Sequence, residues 1–120
     1  MNQEKPVVLI VEDSIFAARE HQKHLADLGA NPIILRATGK LEETINQISK
    51  TEIIKAIIAD GLHGDWMAAA LIATKAGIPL WLITGNDDYI RDARSFPNTK
   101  TLSKVHLSKN PENYRRIIAG

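Results

Sequence analysis

The 120-residue chain contains no cysteine, which excludes disulfides and thiolate metal centres. Aromatic residues make up only 5%, so a core must be built from Ile, Leu, Val and Ala. Charge of neither sign dominates: 15 Lys and Arg against 14 Asp and Glu leave a net +1. The basic residues are dispersed, with Arg115-Arg116 the only adjacent pair. That gives no electrostatic reason to expect nucleic acid or an acidic membrane as partner. No apolar run reaches membrane-crossing length and the opening MNQEKP is polar, so neither an anchor nor a signal peptide is expected. A soluble cytoplasmic protein is the default expectation.

What is present reads as one globular domain over residues 1–120. Hydrophobic residues reach 44% and charged residues 24%, ordinary values for a folded domain. A chain of this length buries roughly two-thirds of its extended surface, enough for a self-standing core.

Five apolar segments alternate with helical ones. Val7–Val11 is continuous and β-branched, the pattern of a strand covered on both faces. Asp13 or Ser14 can cap a helix running to about Leu28, ended by Gly29. The next strand is expected from Ile33 to about Ala37. Leu41, Ile45 and Ile48 then mark a one-faced helix. IIKAIIAD is a third strand ending at Asp60, and Trp66 to Ala76 a helix stopped by Gly77. IPLWLITG is a fourth strand ending at Thr84, followed by a short helix in NDDYIRDARSF. TKTLS is a weak fifth strand ending near Lys104, and Pro111 opens a closing helix. Such alternation implies an α/β protein, a doubly wound parallel sheet with right-handed crossovers.

In an open doubly wound sheet the working crevice lies beyond the carboxyl ends of the strands. Those ends carry Glu12-Asp13, Asp60, Thr84 and Lys104. Three neighbouring carboxylates repel one another and drive one toward protonation unless a cation joins them. Mg²⁺ takes hard oxygen ligands, commonly one or two carboxylates with phosphate oxygens.

The ordered set, LIVEDS, IIADG, LITG and LSK on alternating elements, resembles the receiver domain of two-component response regulators over essentially the whole chain. The resemblance implies the flavodoxin-like receiver fold, five strands in the order 2-1-3-4-5. It implies that Asp60 accepts a phosphoryl group from a histidine kinase or histidine phosphotransfer protein. Glu12, Asp13 and Asp60 would hold Mg²⁺ with the backbone carbonyl of Leu62. Lys104 would pair with a phosphoryl oxygen, and Thr84 would hydrogen-bond the new group. Lys109 competes with Lys104 for the lysine's role. Such a domain is a phosphoacceptor rather than a conventional enzyme, and its output is a downstream protein or a fused output domain.

The chain departs from the family pattern in three places. His63-Gly64 stands where Met-Pro is usual, Val105 replaces a proline after the lysine, and Thr101 occupies the place of a switch aromatic. These favour an alternative, a pseudo-receiver that binds protein and is never phosphorylated. Singly, Asp13-Ser14 reads as a helix cap and Asp60-Gly61 and Thr84-Gly85 as turns. His21 and His24 read as a solvated or partner-facing pair. His63 reads as a loop residue, Trp81 as core, and Trp66 as a helix-start residue packing on the sheet or bordering the pocket.

Overall fold

Val7–Val11 is β1, and every side chain in it is buried. Only a central strand of a sheet covered on both faces can bury five consecutive apolar residues. The computed structural model describes residues 5–60 and 65–119. Its elements are β1, α1 (Ile15–Asp27), β2 (Asn31–Leu35), α2 (Leu41–Ile48), β3 (Ile54–Asp60), α3 (Trp66–Ala76), β4 (Leu80–Ile83), α4 (Asp87–Ala93), β5 (Thr99–Leu102), α5 (Lys104–Lys109) and α6 (Asn113–Ala119). A single 3₁₀ turn, Thr38–Lys40, precedes α2. No helix among the described residues is long and apolar enough to cross a membrane.

The five strands form one parallel sheet in the order β2-β1-β3-β4-β5. The odd residues Val7, Leu9 and Val11 face α2 and α3, where Leu41, Ile45, Trp66 and Ala70 cover them. The even residues Val8 and Ile10 face the other layer, with Ala18 and Leu25 of α1 and Tyr114 and Ile117 of α6. Each fully buried Leu or Ile contributes about 1.5–3 kcal/mol, so aliphatic side chains supply a core that aromatics cannot.

Local signals fix several boundaries. Ser14 caps α1, its Oγ accepting from the Ala17 amide at 3.4 Å. Gly29 and Gly77 end α1 and α3 with φ of +90° and +71°, a region costly for any residue with a Cβ. Two boundaries differ from expectation. β2 spans Asn31–Leu35 rather than Ile33 to Ala37. Asn31 donates to the Pro6 carbonyl at 2.8 Å, so alternation turns the nitrogen of Pro32 outward, where an edge strand needs no donor. Lys104–Lys109 is a helix of its own, capped by Ser103, whose Oγ accepts from the His106 amide at 3.4 Å. Pro111 accordingly lies in the turn before α6 rather than at its first position.

Candidate functional site

Sheet register brings the acids together. Val11 pairs with Ala59, so Glu12 and Asp60 stand at the same level on neighbouring strands. Asp60 pairs with Ile83, which puts Thr84 one step beyond it on the next strand. The order reverses between β1 and β3, the switch point where a doubly wound sheet opens a crevice. A pocket of about 470 Å³ opens there, lined by Glu12, Asp13, Asp60, Thr84, Asn86, Tyr89 and Lys104 among others.

Each side chain is held by its own element. Glu12 is 2% exposed; its amide donates to Leu35 O at 2.9 Å and its Oε1 accepts from the Ser14 amide at 3.2 Å. Asp13 is exposed, and its carbonyl accepts from Arg36 Nη2 at 2.9 Å. Thr84 is buried and its amide continues the ladder to Leu102 O. Its Oγ1 accepts from the Asn86 amide at 3.0 Å, so the hydroxyl hydrogen remains for an incoming oxygen. Lys104, the first residue of α5, places Nζ 2.8 Å from Asp60 Oδ2. Lys109 lies exposed in the last turn of the same helix and does not line the pocket. Leu62, His63 and Gly64 lie outside the described residues.

No protein-family model and no curated protein matches the sequence. Solved structures do. Chemotaxis protein CheY4 of Vibrio cholerae matches with a TM-score of 0.74 at 16% identity, over 96% of this chain and 97% of that one. A response regulator from Thermotoga maritima gives 0.69 at 16% identity, over 97% and 99%. The signal receiver domain of an HD domain-containing protein from Pseudomonas fluorescens gives 0.68 at 16% identity, over 99% and 90%.

The chain has the receiver fold. At 16% identity the likeness is one of backbone, and the chemistry must rest on the side chains present.

Within this receiver fold, electrostatics set Glu12 apart. Burial first, then a hydrogen bond with Asp60 and the Asp60 charge, push its carboxyl up to about 8. Its Oε2 is buried with no donor, so an ionised Glu12 leaves an orphaned oxygen beside a second carboxylate. That oxygen, with Asp13 and Asp60 nearby, is the hard-oxygen set that suits Mg²⁺. Among the described residues no three acidic or histidine side chains alone are set to hold a metal. Mg²⁺ nonetheless fits, because it binds through one or two carboxylates and completes its shell with water and phosphate oxygens.

On the far side of the Asp60–Lys104 pair lies a smaller cavity of about 130 Å³, bordered by His21, Glu20, Ile83 and Leu107. His21 is buried, contrary to the solvated role expected for it. Its Nδ1 is 2.7 Å from the Tyr114 hydroxyl, and the ring of His24 stacks on Tyr114. Burial, the largest influence, lowers His21 to about 4, and burial likewise raises Tyr114. Trp66 is wholly buried against Tyr89 and Phe96 and does not border the pocket. Trp81 is core, with Lys100 and Arg116 over its ring. Sequence reading missed Asn86 and Tyr89 as pocket residues. Asn86 is the cap of α4, accepting from the Asp88 and Tyr89 amides, and Asn before two acids was the available signal.

Proposed function

We propose that this chain is a receiver domain of two-component signalling, in which Asp60 accepts a phosphoryl group from a phosphohistidine on a kinase or phosphotransfer protein. One observation carries the reading: Asp60 opens to the pocket beside Glu12 and Asp13 with Lys104 Nζ at 2.8 Å. An Asp60 oxygen attacks phosphorus as the P–N bond breaks. The bonding pair stays on the partner's nitrogen, and because the other ring nitrogen of the phosphohistidine carries a proton, the imidazole departs neutral. Lys104 shifts from the carboxylate to a phosphoryl oxygen and neutralises its charge. The Thr84 hydroxyl donates to a second oxygen. Phosphoryl transfer needs mainly such positioning and charge neutralisation.

Of Glu12, Asp13 and Asp60, one or two would hold Mg²⁺ directly and the rest through water, and its charge would offset that of the acids and the transferring group. The added charge, roughly −1.5 to −2 by analogy with other phosphorylated side chains, then favours a second arrangement of the rim loops. Output is protein binding, to a downstream target or a fused output domain, in the cytoplasm. The domain assists its own modification and turns over no separate substrate.

A second reading, a binding module that stays unphosphorylated, is favoured by Val105 in place of a proline after Lys104 and by Thr101 in place of an aromatic on β5. Intact mass after incubation with acetyl phosphate and Mg²⁺ separates the two. The receiver reading expects the wild type to gain one phosphoryl group and Asp60→Asn none. No gain in the wild type favours the second reading.

A further inference from the structure

Helix α3 carries no charged side chain from Trp66 to Thr74, although it lies at the surface. Its inner side is accounted for by Trp66, Ala69, Ala70 and Ala73, all buried. Its outer side shows Met67, Ala68 and Leu71, with Leu71 56% exposed. The Thr74 hydroxyl donates back to the Ala70 carbonyl at 2.8 Å and offers water little. A surface helix normally sets charged residues opposite its apolar stripe. In this chain α1 does so with Arg19, Glu20 and Lys23, and α2 with Glu42 and Glu43. An apolar outer face marks a contact surface.

Along the helix itself, charge stands only at the two ends of this face, and Glu42 of α2 flanks the Lys75 end. Asp65 is exposed just before the helix, its carboxylate held in place by the Thr38 hydroxyl. Lys75 is exposed in the last turn. Acid at one end, base at the other and aliphatic residues between make a face complementary to itself when turned end for end. Around a two-fold axis at Leu71, Lys75 of one copy would come over Met67 of the other, with its ammonium toward Asp65. The two Leu71 side chains would meet on the axis, with Ala68 letting the helices approach. Isologous two-fold contacts have this self-matching property.

We propose that the outer face of α3 is a two-fold contact between two copies of this chain. One helix face is smaller than a standard interface, so the association is weak and concentration-dependent. The inference is independent of the signalling role, since it uses none of the pocket residues.

Sedimentation velocity over a concentration series reads it. The wild type shifts from monomer toward dimer, Leu71→Glu stays monomeric with an unchanged circular dichroism spectrum, and Lys75→Glu weakens the shift. Because the chain has no cysteine, Leu71→Cys gives a second, independent readout. Mild oxidation links Leu71→Cys into a covalent dimer, while Glu43→Cys on the neighbouring helix stays unlinked. A wild type that is monomeric throughout overturns the proposal. So does a dimer as strong in Leu71→Glu, or a Leu71→Cys chain that links no better than the Glu43→Cys control. If Leu71→Glu fails to fold, the cysteine comparison decides.

Discussion

The ammonium of Lys104 lies 2.8 Å from Oδ2 of Asp60, tying the first turn of α5 to the carboxyl end of β3. The Lys104 side chain is 54% exposed, so the pair adds little stability, under about 1 kcal/mol. Its value is in placing a cation where phosphoryl charge would develop. Lys104→Met is expected to slow phosphorylation by acetyl phosphate on the order of a hundredfold. Its urea midpoint should barely move. Lys109→Met should leave both unchanged, and equal rate losses in the two variants would count against Lys104.

Two buried titrating groups oppose each other in the pH dependence of stability. Native His21 stays neutral down to about pH 4, whereas an unfolded histidine gains its proton near 6.5, so on its own acid destabilises. Native Glu12 keeps its proton up to about 8, whereas an unfolded glutamate loses it near 4.5, so on its own base destabilises. Between 4.5 and 6.5 the two one-proton differences cancel, and these groups give a plateau. From 6.5 to 8 only Glu12 acts, and stability falls by on the order of 2 kcal/mol. Urea midpoints across pH should show this loss, and Mg²⁺ should remove it. Glu12→Gln should abolish the alkaline loss and expose the acid loss of His21 below 6.5.

The Thr38 hydroxyl donates to the Asp65 carboxylate, joining the turn before α2 to the start of α3. Thr38 is buried, so its deletion is felt more than a surface bond would be. Thr38→Val is expected to cost about 1–2 kcal/mol. In a double-mutant cycle with Asp65→Ala, the double variant should lose little more than either single one. Additive losses would show that the two side chains act separately.

Trp66 is in ring contact with Tyr89, a pocket-lining residue, at 6.0 Å between centroids. Beryllofluoride, which mimics a phosphoryl group, should therefore alter Trp66 emission in the presence of Mg²⁺. Asp60→Ala and Trp66→Phe should each abolish the response. A response that survives Trp66→Phe would assign the signal to Trp81.

Much of this was legible because the signals were local and coincided. β1 is an unbroken β-branched run, and α3 runs from Trp66 to a glycine that must adopt positive φ. What escaped depended on tertiary partners. β2 begins at Asn31 because Pro6 offers a carbonyl there, which no feature of the segment announces. α5 has six residues and one buried side chain, Leu107, too little for a periodic pattern. His21 occupies the inward stripe of α1 between Ala18 and Leu25, a place where an apolar residue is expected. Tyr114, far along the chain, makes that position tolerable. The site acids were legible because strand ends of a parallel sheet share one rim; the Glu12–Asp60 alignment needed the register.

Site mapping of the modified residue tests the central claim most directly. The protein is treated with acetyl phosphate and Mg²⁺, reduced with borohydride and digested, and the peptide containing residue 60 is sequenced by mass spectrometry. The account predicts homoserine in place of Asp60, the product of reducing an aspartyl phosphate. An unreduced Asp60 in a protein that has taken up phosphate elsewhere, or has taken up none, would contradict it.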